Sequence, residues 1–327
     1  MQAARFPRLR IAVSDCLRGT ECRYNGGHAQ DDFINQQLAH YADFFPFCPE
    51  APVLGTPRET IQLVGIDDKI HVMGTRTRRD VTEGIENYTH RMVPKLLEQQ
   101  IDGAVVKSRS PSCGLERIKV YRPDGQWYGS SDPMSSGVFT AHLQHSAPQL
   151  AIEEEGRLQD AWLRESFMVQ VFTAARWREF LAAEPTLAGF QAFHRDHKYL
   201  LLSKNETLYR HLGALVATTR RDNLQESLRG YGYLLMELLA YRSKRGHVRN
   251  VLDHIYGYFK SQVSEDEKQH YHDTVQEFVD GIIPLVAVIK ILEQFVKRYG
   301  SDYLQSQIFF HPYPPELALR SKITAYR

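Results

Sequence analysis

The texture of the chain changes near residue 155, and that change constrains the architecture more than any other feature. Before it, short apolar runs at residues 9–13, 44–47, 70–73 and 103–106 read as strands, although Pro46 weakens the second as an interior strand. Residues 82–100 carry Ile85, Tyr88, Met92, Leu96 and Leu97 at helical spacing. A hairpin-like end follows: residues 118–121, the turn Pro123-Asp124-Gly125, then Trp127 and Tyr128. Strands alternating with helical patterns predict an α/β domain with a mostly parallel sheet in Rossmann-like layers.

After residue 155 the strand signals vanish and helical periodicity runs to about residue 304. Leu208, Leu212, Leu215 and Val216 form one stripe, and Leu224, Leu228, Tyr231, Leu235 and Leu239 another. Three more stripes follow, around Val251 and Ile255, Val275 and Phe278, and Ile289 and Leu292. This part is expected to be an all-α helical bundle. His311-Pro-Tyr-Pro-Pro-Glu316 cannot be helical and is expected to run as an extended tail over the surface. The expected domains are residues 1–150 and 151–327, with the boundary between 146 and 180.

The length of 327 residues suits two domains, and the net charge of +1 says little about partners, because charge can be segregated along the chain. No stretch approaches the eighteen apolar residues of a membrane-spanning helix, and the N-terminus has no secretory apolar region. A cytoplasmic protein without membrane contact is expected. Four cysteines in a reducing compartment are free thiols, metal ligands or nucleophiles rather than a disulfide framework.

Three of them share one context. Cys16, Cys48 and Cys113 each lie just past an expected strand, in the turns SDCLRG, CPE and SPSCG. Ligands of open α/β sheets bind beyond the carboxyl ends of the strands, so the three thiols are expected to converge. There is no CxxC pair to suggest a zinc ribbon. Three ligands without a fourth suggest an open coordination position, and thiolate ligation suits an iron–sulfur cluster or zinc. Cys22 is a candidate fourth ligand. The competing reading is three inert buried thiols, since free cysteine behaves as a small hydrophobe. Glu50, two residues after Cys48, is placed for general acid or base work. Arg23, Tyr24, Arg58, Lys107, Ser108 and Arg109 flank the cysteine turns as candidate substrate-binding residues, suited to an anionic ligand such as a nucleotide phosphate.

The segments SDCLRGTECRYNGG, CPEAPVLGTPRE and KSRSPSCG resemble the motif set of the thiouracil desulfidase family (TudS-like), over roughly residues 8–145. The resemblance implies a [4Fe–4S] cluster on Cys16, Cys48 and Cys113, with the fourth iron free for substrate sulfur. It also implies catalytic roles for Glu50 and for Ser110 of the SPSC motif. The family's glycine-rich stretch after CPE is replaced here by Ala-Pro-Val-Leu-Gly55.

Between Arg195 and Lys260 there are twelve Lys/Arg against six Asp/Glu, densest around Arg242, Lys244, Arg245 and Arg249. His194, His197, His211 and His254 add donors, and Tyr199, Tyr209, Tyr231, Tyr233, Tyr241, Tyr256 and Tyr258 interleave. Such a face can bind a phosphate backbone, or serve only as a solvated helix surface. FHRDHKYLLLSKNETLYRHLGALVA, NVLDHIYGYFK and YLQSQIFFHPYPPELALR resemble a second, YbgA-like family. Its fusion behind a desulfidase domain resembles the tRNA 4-thiouridine desulfidases (RudS-like). The resemblance implies non-redox removal of sulfur from 4-thiouridine in tRNA, giving uridine and sulfide. The alternatives are a desulfidase of free thiouracil or 4-thio-UMP, and an iron–sulfur redox sensor or RNA-binding regulator.

Overall fold

In the first half of the chain, four-residue and six-residue apolar runs form strands that are buried on both faces. The computed structural model describes residues 6–127, 129–317 and 322–326. The chain divides into two units, one spanning Arg8–Leu158 and the other Gln159–Arg327 together with the residues before Arg8.

The first unit holds two four-stranded sheets. In one, β1 (Leu9–Ser14), β2 (Ala42–Phe47), β5 (Gly103–Val106) and β8 (Ala151–Glu154) run parallel in the order β2-β1-β5-β8. The two central strands are the most apolar, as burial on both faces requires. Pro46 is tolerated because β2 is an edge strand. The second sheet is mixed, in the order β4-β3-β6-β7, built from β3 (Ile61–Ile66), β4 (Lys69–Gly74), β6 (Ile118–Tyr121) and β7 (Met134–Ser135). Asp67 and Asp68 close the β3–β4 hairpin with positive φ at both central positions, the geometry that short Asp side chains tolerate. After the single turn α1 (Ala51–Leu54), helix α2 (Thr82–Glu98) serves both cores: Tyr88, Val93 and Leu96 pack with the parallel sheet, Ile85 with the mixed one.

The sequence reading of one mostly parallel sheet is thus refined to a parallel sheet beside a mixed one. The hairpin-like end is corrected. The turn after β6 forms, but its partner strand is β7, and Trp127 lies outside any strand. Tyr128 lies outside the described residues.

The second unit is an all-α helical bundle. Helix α4 (Ala161–Ala182) starts at Asp160, whose carboxylate accepts the Trp162 amide at 2.9 Å. It buries residues around most of its circumference, among them Phe167, Met168, Phe172 and Trp177, as a central helix does. The unit continues with α5 (Leu187–Leu202), α6 (Glu206–Thr218), α7 (Leu224–Ala240), α8 (Arg245–Tyr256), α9 (Glu265–Asp280) and α10 (Leu285–Tyr299), of which α7 packs on α4. Trp177 packs against Phe180, Phe193 and Tyr231 at 5.0–5.3 Å between centroids. Gly232 makes that possible, since a Cβ there would stand 2.7 Å from the indole nitrogen.

The expected surface tail is not on the surface. Phe309, Phe310 and Tyr313 are buried, Arg176 donates to the Pro312 carbonyl at 2.6 Å, and the Tyr313 and Tyr326 hydroxyls both bond the Glu165 carboxylate. The prolines do prevent a long helix, but the aromatic side chains between them carry enough apolar area to draw the segment inward.

Candidate metal and substrate site

The parallel sheet ends in three turns, and each turn delivers one thiol. Cys16 sits in a single helical turn (Asp15–Arg18) directly after β1. Its carbonyl accepts the amides of Gly19 and Ala29, at 3.3 and 2.9 Å. Cys48 follows β2. Its amide donates to the Tyr88 hydroxyl at 3.2 Å, and its sulfur accepts the Ala51 amide at 3.4 Å. Cys113 closes the Ser110–Pro111–Ser112 turn beyond β5, with its amide on Ser110 Oγ at 3.1 Å and Ser112 Oγ 3.5 Å from its sulfur.

The Cys113 turn is clamped by the start of α3 (Val138–Ser146). Gly137 and Phe139 donate their amides to the carbonyls of Gly114 and Ser112, and Thr140 bonds the Cys113 carbonyl. A Cβ on Gly137 would lie 2.5 Å from the Ser112 carbonyl carbon and 2.7 Å from the Cys113 nitrogen. Only glycine permits that approach.

The three thiols line one cavity of about 810 Å³ lying wholly within the first unit. Cys16 and Cys113 are 8% and 6% exposed. Glu50 faces the same space and is held from three sides. Ser110 and Ser112 donate to its Oε1 at 2.9 and 2.6 Å, and Arg58 Nη2 to its Oε2 at 2.7 Å. Arg58 also donates to the carbonyls of Cys22 and Gly55, both at 3.0 Å, and its side chain is 5% exposed.

Burial and neighbouring charge disfavour thiolates here. Burial, reinforced by the Glu50 carboxylate, pushes the Cys113 thiol up to about 12. The Cys48 thiol is raised by its hydrogen bond with Cys22 and by burial. Any cation held here must replace these protons. Among the described residues no three His, Cys, Asp or Glu side chains form a group that could hold a single metal ion.

The structure places Cys16, Cys48, Cys113, Glu50, Ser110, Arg23, Tyr24, Arg58, Lys107, Ser108 and Arg109 around this one cavity. They are not equivalent. Arg58 is bound to Glu50, and Lys107 pairs with Glu155, which also takes the Ser108 amide and hydroxyl at 2.7 and 2.8 Å. Arg23 lies 5.5 Å over the Tyr24 ring, and Arg109 has a left-handed backbone, φ 60°. Sequence reasoning missed Ser112, Tyr88 and Glu155. Ser112 carried a signal, since SPSC presents two hydroxyls two residues apart. Tyr88 and Glu155 carried none, because they reach the site from a helix and from past a strand end.

In the helical unit, Arg242, Lys244 and Arg249 are exposed. The Arg242 guanidinium lies 4.9 Å over the Trp162 ring, Arg245 opens α8, and Arg249 donates to Gln276 at 3.3 Å. His197, Tyr199, Tyr231 and Tyr256 are core residues, which corrects their reading as surface donors. Tyr233, Tyr241 and Tyr258 are exposed. No helix among the described residues is long and apolar enough to cross a membrane.

Comparison with known proteins gives two family matches. One, described as 2-thiouracil desulfurase, covers residues 11–155, and the other, described as a protein of unknown function (DUF1722), covers residues 198–314. The uncharacterized protein YbbK of Bacillus subtilis (strain 168) is 35% identical over 153 residues, 44% of this chain and 96% of that protein. The uncharacterized protein YbgA of Escherichia coli (strain K12) is 24% identical over 157 residues, 48% of this chain and 93% of that protein. A solved structure titled [4Fe-4S]-dependent thiouracil desulfidase TudS is 29% identical, with a TM-score of 0.37, over 46% of this chain and 94% of that one.

Proposed function

This chain belongs to the 2-thiouracil desulfurase family through its N-terminal unit, and from that premise we propose that it is a [4Fe–4S]-dependent desulfidase that converts 4-thiouridine in tRNA to uridine and sulfide. The observation that carries the reading is the convergence of Cys16, Cys48 and Cys113 on the cavity that also holds Glu50.

The donor set fits a cluster. A polynuclear centre takes one thiolate from each turn, whereas a single zinc needs its ligands gathered around one point. The thiols stand on three separate turns, and the Ala51 amide and Ser112 hydroxyl are aimed at two of the sulfurs. Cys16, Cys48 and Cys113 would hold the cluster, and when bound it supplies a Lewis acid that polarises the thiocarbonyl C–S bond.

The chain's own residues supply the rest. The Glu50 carboxylate takes one proton from the water that attacks the ring carbon and returns it to the departing sulfur, and the second water proton follows to sulfur as the new carbonyl forms. Ser110 and Ser112 fix Oε1, and Arg58 fixes Oε2, so the carboxylate reaches the reaction already oriented. As the negative charge moves off Glu50, Ser110 Oγ is free to turn its hydrogen toward the base. Arg23 and Arg109 at the cavity wall suit the nucleotide phosphates. One water adds and hydrogen sulfide leaves, with no change of oxidation state. The helical unit, with Arg242, Lys244, Arg245 and Arg249, offsets the cost of extruding the stacked thio-base by contacts to the tRNA backbone.

The cavity volume lies within the range of small-molecule sites, which favours a second reading, desulfuration of free thiouracil or 4-thio-UMP. Anaerobically reconstituted protein mixed with 4-thiouridine-containing tRNA decides between them. Loss of the thiocarbonyl absorbance with release of sulfide, absent in Cys113→Ala, supports the tRNA reading. Turnover of 4-thio-UMP without turnover of tRNA replaces it with the second. A full cluster that turns over neither substrate leaves the sensor reading and sinks the role given to Glu50.

A further inference from the structure

The cavity has a fourth thiol. Cys22 lies six residues beyond Cys16, is 7% exposed, and lines the same wall as Cys16, Cys48 and Cys113. Its backbone is pinned on both sides. The amide donates to the Thr20 carbonyl at 2.8 Å, and the carbonyl receives Arg58 Nη1 at 3.0 Å and the Cys48 thiol at 4.0 Å. The arginine that orients Glu50 therefore also fixes the turn that presents Cys22.

We propose that Cys22 is a displaceable ligand of the resting centre: it occupies the iron that the other three cysteines leave open, and gives way when substrate sulfur arrives. This rests on the cluster reading above. Ligation exchanges the Cys22 S–H bond for an S–Fe bond and releases one proton to solvent. Displacement by a thiocarbonyl sulfur restores the thiol by taking a proton back. No electrons move and no further reactant is needed. Such a ligand shields the labile iron between turnovers, which three fixed thiolates alone do not do. It also explains a fourth buried thiol in a cavity whose chemistry needs three.

Two measurements test it, and neither reads activity. In the first, wild type, Cys22→Ala and Cys113→Ala are reconstituted anaerobically, iron and sulfide per chain are counted, and the clusters are exposed briefly to ferricyanide. Electron paramagnetic resonance then follows loss of one iron. The expected result is a three-iron signal that grows at least tenfold faster in Cys22→Ala than in wild type. Equal rates overturn the proposal. In the second, which needs no variant, the wild-type holoprotein is treated with iodoacetamide with and without 4-thiouracil, and the Cys22 peptide is quantified by mass. Alkylation of Cys22 that rises at least tenfold with 4-thiouracil is expected, and alkylation independent of it overturns the proposal. Absence of any cluster in the wild type is a different failure, because it removes the cluster reading itself.

Discussion

In the α/β unit the polar groups converge: four thiols, a carboxylate, a serine and a guanidinium line one cavity, and a second serine holds the carboxylate from behind. In the helical unit they are scattered through an aromatic core. His197 has its Nε2 unpartnered, Arg176 caps a carbonyl, and Glu165 receives two phenols. The first arrangement pre-organises groups around a space, and the second satisfies polar atoms singly in order to fill one. Chemistry therefore belongs with the first unit. The second carries its excess of cations outward, on Arg242, Lys244 and Arg249.

The sharpest way to break this contrast is to remove one thiol. Cys16, Cys48 or Cys113 changed to alanine is expected to abolish iron binding and desulfuration together, leaving the melting of the helices by circular dichroism unchanged. Retained iron in any of them would break the three-turn assignment. Next is Glu50→Gln, expected to lower turnover by ~10²–10⁴-fold at full iron content, because it removes a proton carrier and not a ligand. Steady-state kinetics beside an iron count separates the two. Gly137→Ala is smaller: the added methyl meets the Ser112 and Cys113 backbone and is expected to cost about 1–3 kcal/mol, with reduced iron loading. Chemical denaturation monitored with iron content checks it.

The helical unit answers to pH instead. Burial and the Arg176 charge hold the His197 ring down to about 3, with the Phe193 carbonyl opposing, and burial and Lys198 hold His194 down to about 4. Both rings are neutral when folded, while the unfolded chain titrates near 6.5. The unfolded state then binds more protons on acidification, so this stability is complete above about pH 6.5 and is lost as the pH falls toward 4. For the buried His197 the slope is about 1.4 kcal/mol per pH unit. Helix melting at pH 7 and pH 5 measures it, and an unchanged midpoint would count against the neutral buried rings. The smallest effect is expected from Arg242→Ala or Arg249→Ala. Each is expected to weaken tRNA binding and reduce the slope of log affinity against log salt by about one, with 4-thio-UMP turnover intact. A salt titration of binding reads this.

The chain's letters announced the three cysteine turns, because Gly, Pro and Ser beside a thiol just past an apolar run is a local pattern. Glu50 was legible as a carboxylate two residues after Cys48, whereas Ser110 was singled out only by the resemblance of the SPSC motif. Strand β3 was missed, since its six residues include Gln62 and Gly65 and alternate poorly. Strand β8 was hidden by Glu153 and Glu154, carboxylates buried on it by pairing with Arg157 and the Leu115 amide. Helix α4 gave no clear stripe because it is buried around most of its surface, and periodicity reports only faces that differ. Arg58 was read as a phosphate clamp because sequence shows a residue's reach and not its engagement. Its tie to Glu50 spans eight residues and two turns.

The close packing of Gly137 on the Cys113 turn has a consequence for biosynthesis. The third thiol sits in a turn fixed by amides that lie 24 and 26 residues further along the chain, and β5 is completed as a central strand only when β8 joins it. A ribosome delivers these pieces in order, at roughly 5–20 residues per second. While α3 and β8 are still in the exit tunnel, the nascent chain offers two thiols in formed turns and a third in a loose one. On the proposed cluster reading, iron delivery has a natural checkpoint near the end of the first unit, before the helices that follow have been made.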